Sequence, residues 1–194
     1  MIPVSPPPEP ESFDAECRQP GNAWLAARID PDPHKNPLWS GFTGHLRSAF
    51  GNRCGFLAMY IARGTIDHWV SLRSNRALAY EWKNYRFCDG AVNNAKKPTW
   101  EGKLIDPFEV QEGWFEILLP SLQLVPSEAL DEATRERAEF TLQKLRLRDG
   151  EDVIRLRREW LEMYESGKLP IEGLLEMAPL LARAVARRDG LQLK

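Results

Sequence analysis

Apolar positions along the chain change their spacing several times, and each change predicts an element. In LWSGFTGHLRSAFG, residues 38–51, Leu38, Phe42, Leu46 and Phe50 recur every four positions. That is a helical stripe, stopped by Gly51. Residues 54–70, CGFLAMYIARGTIDHWV, read as two β-segments joined by the turn residues ARG. Residues 71–87 read as a mixed loop rich in aromatics, and CDGAVNNAKK as the start of a short helix that ends before Pro98. Residues 104–121 hold further short strands, with Gly113 at a turn. From Pro126 onward the spacing is helical throughout. Ser127 is the expected N-cap, with Glu128, Asp131 and Glu132 placed where a helix dipole favours acids. Leu130 to Leu145, Val153 to Tyr164, and Leu174 to Val185 mark three amphipathic helices, separated by DGED and by Gly167 and Pro170.

The first 37 residues differ from the rest. Residues 1–12 contain five prolines, three of them consecutive. Such a segment is an extended polyproline-like arm, lying either on the domain or on a partner. FDAECRQPGNAWLAA fits a short helix around Trp24, and DPDPHKNP a loop. The expected class is α+β, divided into a proline-rich arm (1–37), a mixed core (38–125) and a helical extension (126–194).

Composition narrows the function classes. The chain of 194 residues is 43% hydrophobic and 28% charged, as in soluble globular proteins, and long enough to bury a sizeable core unaided. Three scattered cysteines, Cys17, Cys54 and Cys88, predict a reducing cytoplasmic location and no disulfide framework. No apolar run approaches the ~20 residues of a membrane span. The first residues lack the basic-then-apolar order of a signal peptide. Net charge is −2, without the basic excess of a protein that grips nucleic acid alone.

The chemistry worth explaining is in TIDHWV, residues 65–70. Neighbours on a strand point to opposite faces, and buried charge is costly unless paired. Asp67 and His68 therefore make sense together only where the strand ends and something polar meets them. Asn84, Asn93 and Lys96 follow at intervals that could bring them close. Plainer readings stand beside this one. An Asp-His pair also suits a capped turn, Asn84 suits a loop residue bonded to its own backbone, and NNAKK suits a solvated helix face. His34 and His45 have no motif partners, His45 falling on the polar face of its helix. Trp82, Tyr85 and Trp114 read as core.

Taken together, DHWVSLRS, AYEWKNYR, VNNAK, DPFE and EGWFEI resemble the HNH endonuclease family in its ββα-metal form. The resemblance runs from about Cys54 to about Leu122. It is to a branch that includes nuclease subunits encoded beside ATPases in bacterial antiphage defence operons. It implies a ββα-metal core with flanking short strands, and a phosphodiesterase that hydrolyses DNA with Mg²⁺ or Mn²⁺. His68 would be the general base, since a neutral imidazole accepts a proton near pH 7. Asp67 and Asn93 would offer oxygens to the metal, which stabilises developing negative charge. Asn84 would hold the loop that carries His68. Lys96 and Arg73 would contact phosphate, Arg73 standing beside Leu72, which occupies the family's lysine position. The resemblance further implies an ATPase partner, a homo- or hetero-oligomer and no membrane. Two other functions fit the same residues: a catalytically decayed HNH-fold adaptor, and an RNase.

Many relatives of that family hold a structural zinc through cysteine knuckles. Here only Cys54 and Cys88 are in range, too few thiolates for a tetrahedral site. Phe56, Leu57 and Met59 are expected to replace the metal by apolar packing. Elemental analysis of the purified chain is expected to find no zinc; one tightly held zinc per chain would contradict the packing argument.

Overall fold

A computed structural model of the protein describes residues 1–193. Its first ten residues have no regular structure and lie along the domain. Met1 is buried, and the Pro7 carbonyl accepts a hydrogen bond from Trp82 Nε1 at 2.9 Å. Phe13 is fully buried, its ring edge-on to Phe42, Trp82 and Tyr85 at 4.9, 5.3 and 5.8 Å. A π-helical turn, Asp14–Arg18, continues into α1 (Gln19–Ala26). Gly21 allows the close approach of α1, because a Cβ there would lie 2.3 Å from the Tyr80 ring.

The stripe at 38–51 becomes a 3₁₀ turn, Leu38–Phe42, followed by α2 (Thr43–Ala49). Phe42, Leu46 and Phe50 are buried as their spacing demands, and Gly51 ends the run at φ +59°. The next segment departs from the expected pair of strands. Only its second half is a strand, β1 (Thr65–His68). Residues 54–59 are turns, with a single bridge between Arg53 and Tyr60. The reason is local. All six of those residues are buried, so there is no alternation to drive a strand. Ala58 takes φ +54°, and Cys54 Sγ accepts the backbone N–H groups of Leu57 and Asp89 at 3.4 and 3.3 Å. The thiol thus closes a tight knuckle.

The aromatic-rich loop also hides a strand. After short 3₁₀ turns, β2 (Tyr85–Cys88) pairs antiparallel with β1, setting Thr65 opposite Cys88, Asp67 opposite Arg86, and His68 opposite Tyr85. All four β2 residues are buried, so the strand lacks the alternating pattern that announces a half-exposed one. It leads into α3 (Gly90–Ala95), which Asp89 caps through Ala91 and Val92 N–H. A second antiparallel hairpin follows, β3 (Phe115–Leu118) and β4 (Gln123–Pro126).

The helical extension begins later than expected. Pro126 still belongs to β4, and Ser127 caps only a turn. The N-cap of α4 (Glu132–Lys144) is Asp131, which accepts Thr134 N–H at 3.0 Å. Next come α5 (Glu151–Glu165), α6 (Ile171–Met177) and α7 (Pro179–Asp189). The single helix expected over 174–185 is two, because Pro179 lacks an N–H and forces Ala178 out of helical geometry. The extension is bonded to the core: Tyr60 N–H reaches Met177 O at 2.7 Å, and Ile105 N–H reaches Thr141 Oγ1 at 2.8 Å. Arg157 is buried and donates to the carbonyls of Leu122, Leu147 and Arg148 at 2.7–2.9 Å, joining α5 to the second hairpin and to the end of α4.

The chain is α+β: helices around two small antiparallel sheets. One apolar cluster runs from Met1 through Leu46, Phe87 and Leu124 to Val185. Among the described residues no helix is long and apolar enough to cross a membrane. Because Phe13 lies inside that cluster, Phe13→Ala is expected to destabilise the whole domain by about 3–5 kcal/mol, read as a lowered urea midpoint with an unchanged slope.

Candidate active site

The end of β1 opens onto a cavity of about 790 Å³. Its lining includes Asp67, His68, Asn93, Lys96 and Arg73 together with His34 and Trp39. Asp67 and His68 point to different sides of the strand, yet both reach the cavity because the strand stops there. Asp67 meets Lys96, which follows α3 directly. His68 meets Trp39 and the loop carbonyl of Ala79.

The surroundings of His68 determine its chemistry. The ring stands edge-on between Trp39 at 4.7 Å and Tyr85 at 5.1 Å. Its Nε2 lies 3.0 Å from Ala79 O, an acceptor only, so this nitrogen carries the proton of the neutral ring. The same carbonyl accepts the Tyr85 hydroxyl at 2.7 Å. Nδ1 has no protein partner among the described residues and is left as the proton acceptor. Burial lowers the His68 pKa to about 4, opposed in part by the Ala79 carbonyl, while the charges of His34 and Lys96 lower it further. The imidazole is therefore neutral at pH 7.

Asn84 lies below the cavity rather than in it. Its Oδ1 accepts Val70 N–H at 2.7 Å, and its Nδ2 donates to Val70 O and Leu78 O at 3.1 and 3.2 Å. Its own carbonyl takes Trp69 N–H at 2.7 Å. These bonds clamp the chain just after His68 against the turn that supplies Ala79. Glu101 adds a second clamp, accepting Ser71 N–H at 2.6 Å.

Asn93 is oriented from β1. Its Nδ2 donates to Thr65 Oγ1 at 3.0 Å and Ile66 O at 3.4 Å, which leaves Oδ1 without a hydrogen bond among the described residues. Lys96 is not a solvated helix face. Its side chain is 7% exposed, and its ammonium donates to both Asp67 oxygens, at 2.9 and 2.8 Å, and to His68 O at 2.8 Å. It also lies 4.8 Å over the Trp69 ring. Burial pushes the Asp67 carboxyl above its ordinary pKa, and the Lys96 ammonium pulls it back. Arg73 and Lys97 are exposed at the cavity's edge.

Among the described residues no three His, Cys, Asp or Glu side chains gather as a metal-binding group. Asp67 and Asn93 both line the cavity, and a carboxylate and an amide oxygen are donors of the kind a hard cation takes while keeping most of its waters. Several residues that shape the site carry no motif in the sequence. His34 sits in a proline loop and reaches the cavity only through the fold. Trp39 reads as an ordinary core aromatic. The Ala79 carbonyl belongs to the backbone and has no sequence signal at all. Arg86 forms a two-bond ion pair with Asp106 at 2.6 and 2.5 Å and lies 3.7 Å over the Phe108 ring. So AYEWKNYR and DPFE are physically joined. No protein-family model matches the chain, and no curated protein matches it in sequence.

A buried neutral imidazole resists protonation that an unfolded chain accepts near pH 6.5. Stability is therefore expected to fall as pH drops from about 6.5 to about 4, with His68 accounting for up to ~3 kcal/mol. In NMR titration the His68 ring should stay neutral at pH 5.5 in the folded protein. His68→Gln should flatten the acid limb of a stability–pH curve.

Proposed function

We propose that this protein is a metal-dependent HNH endonuclease that hydrolyses DNA phosphodiester bonds. The observation that carries the reading is the state of His68. Its Nε2–H is committed to Ala79 O, its ring is neutral with Nδ1 free, and the residue lines a cavity shared with Asp67 and Asn93. A general base needs a fixed tautomer, an available lone pair and room for a water and a phosphate, together with a pKa near the working pH. A phosphate anion beside the ring would raise that of His68 from about 4. The antiparallel hairpin β1–β2 followed by α3 supports a ββα-metal core, since all three elements contribute to the site. A divalent ion held by Asp67 and Asn93 Oδ1 would stabilise negative charge developing on the phosphate. His68 would accept the proton of the attacking water, and Asn84 would keep His68 aligned through the loop it clamps. Arg73, Lys97 and His34 are the side chains at the cavity suited to phosphate oxygens.

The net charge of −2 supports a second element of the proposal, a partner that helps hold DNA. That this partner is an ATPase of an antiphage defence complex rests on the sequence resemblance. Nonspecific affinity for DNA grows with the number of Lys and Arg contacts, and few line this cavity. A partner would supply the missing grip.

The test is cleavage of supercoiled plasmid with Mg²⁺ or Mn²⁺, with the chain alone and with a neighbouring ATPase if its gene has one. Cleavage should stop with EDTA and fall about 10²–10⁴-fold in His68→Ala. No cleavage by folded protein under any of these conditions would favour the adaptor reading. Cleavage confined to RNA would favour the RNase reading.

A further inference from the structure

The Asp67 carboxylate is already occupied by a cation from the chain itself. The three protons of the Lys96 ammonium match three oxygen acceptors, two from Asp67 and one from His68 O, all within 2.9 Å. The Trp69 face lies beside it. This is a complete oxygen-lined cation site filled by a lysine. A divalent ion would take one of the same two oxygens at about 2.0–2.1 Å. Two cations against one buried carboxylate repel each other, so the ion competes with the ammonium.

Lys96 has somewhere else to go. Its backbone lies just past α3, out of the helix at ψ 134°, and its side chain borders the cavity on a flexible four-carbon stem. A phosphate diester entering the cavity would offer the ammonium a new anionic partner while freeing Asp67. We propose that Lys96 is an internal competitor for the metal position, so that a divalent ion and a phosphate diester bind this site cooperatively. The proposal rests on the metal position at Asp67 assigned above. Without a diester, metal binding must displace a buried ion pair, and affinity is low. With a diester present, the lysine transfers to phosphate and the ion enters. By linkage the ion must strengthen diester binding by the same factor. The free protein is thereby held in a low-metal state until substrate arrives.

The experiment is Mn²⁺ binding, followed by EPR of the free ion, with dimethyl phosphate as the diester probe. For the wild type, affinity should be weak alone and should rise several-fold at saturating dimethyl phosphate. Lys96→Met should bind Mn²⁺ at least tenfold more tightly than wild type without any diester, and the effect of dimethyl phosphate should shrink towards none. Asp67→Asn combined with Lys96→Met should lose the gain. A second readout uses the wild type alone, in case the variant folds poorly. Reductive methylation mapped by mass spectrometry should find Lys96 protected in the free protein and reactive once Mn²⁺ and dimethyl phosphate are added. Equal Mn²⁺ affinity in wild type and Lys96→Met, Lys96 protection unchanged by both ligands, or no Mn²⁺ binding to either protein would each overturn the proposal. Plasmid cleavage run in parallel reports separately on the nuclease reading: the Mn²⁺ result can hold where cleavage fails.

Discussion

A charge taken out of water must be paired, and the β1–β2 hairpin buries two at one cross-strand position. Asp67 and Arg86 face each other in the register, and both are almost fully buried. They are not bonded to each other. Asp67 pairs outward with Lys96 at the end of α3, and Arg86 pairs outward with Asp106 in the loop before β3. One short hairpin of four-residue strands is thereby fixed to elements on both sides. Leaving either charge unpaired would cost several kcal/mol, so the four residues act together and hold the hairpin, α3 and the 104–110 loop in one geometry.

That constraint prepares the cavity for chemistry. With the hairpin fixed, His68 is held between Trp39 and Tyr85, and its tautomer is set by the Ala79 carbonyl. The rigidity is supplied by neutral hydrogen bonds and aromatic edges, and the imidazole's charge state is set mainly by burial, with smaller effects from the Ala79 carbonyl, His34 and Lys96. Asn84 completes the frame from below. The cationic side chains exposed at the cavity's edge are Arg73 and Lys97.

The knuckle at residues 54–59 shows a different economy of means. Cys54 accepts two backbone N–H groups, while Phe56, Leu57 and Met59 are buried around it. Hydrogen bonds to sulfur and apolar packing hold the turn. The same segment is tied to α6 through Tyr60 N–H and Met177 O, so the helical extension braces the side of the core away from the cavity.

Much of this was legible in order along the chain. The stripe at 38–51, the start of α3 and the helical extension follow from local spacing and turn residues, which act within a few positions. Of the strands expected around Gly113 only β3 forms, after that glycine, and its partner β4 lies at 123–126, beyond the expected segment. The residues with chemical potential, Asp67, His68, Asn84, Asn93 and Lys96, stand out because polar side chains interrupt apolar surroundings. What local pattern could not carry is pairing. β2 was hidden because it is buried on both faces, and the expected strand at 54–61 gave way to turns, with Ala58 in the left-handed region and the Cys54 thiol closing the knuckle. Lys96 read as a phosphate contact or a solvated residue, since nothing in NNAKK says that its ammonium lies on Asp67, 29 residues away. His34, Trp39 and the Ala79 carbonyl joined the site only when the chain folded. The sequence by itself determined which groups are available and roughly where helices lie, while their exact ends at Asp131 and Pro179 came with the fold. The tertiary structure decided which charge meets which, because the cost of burying an unpaired group is settled by neighbours in space.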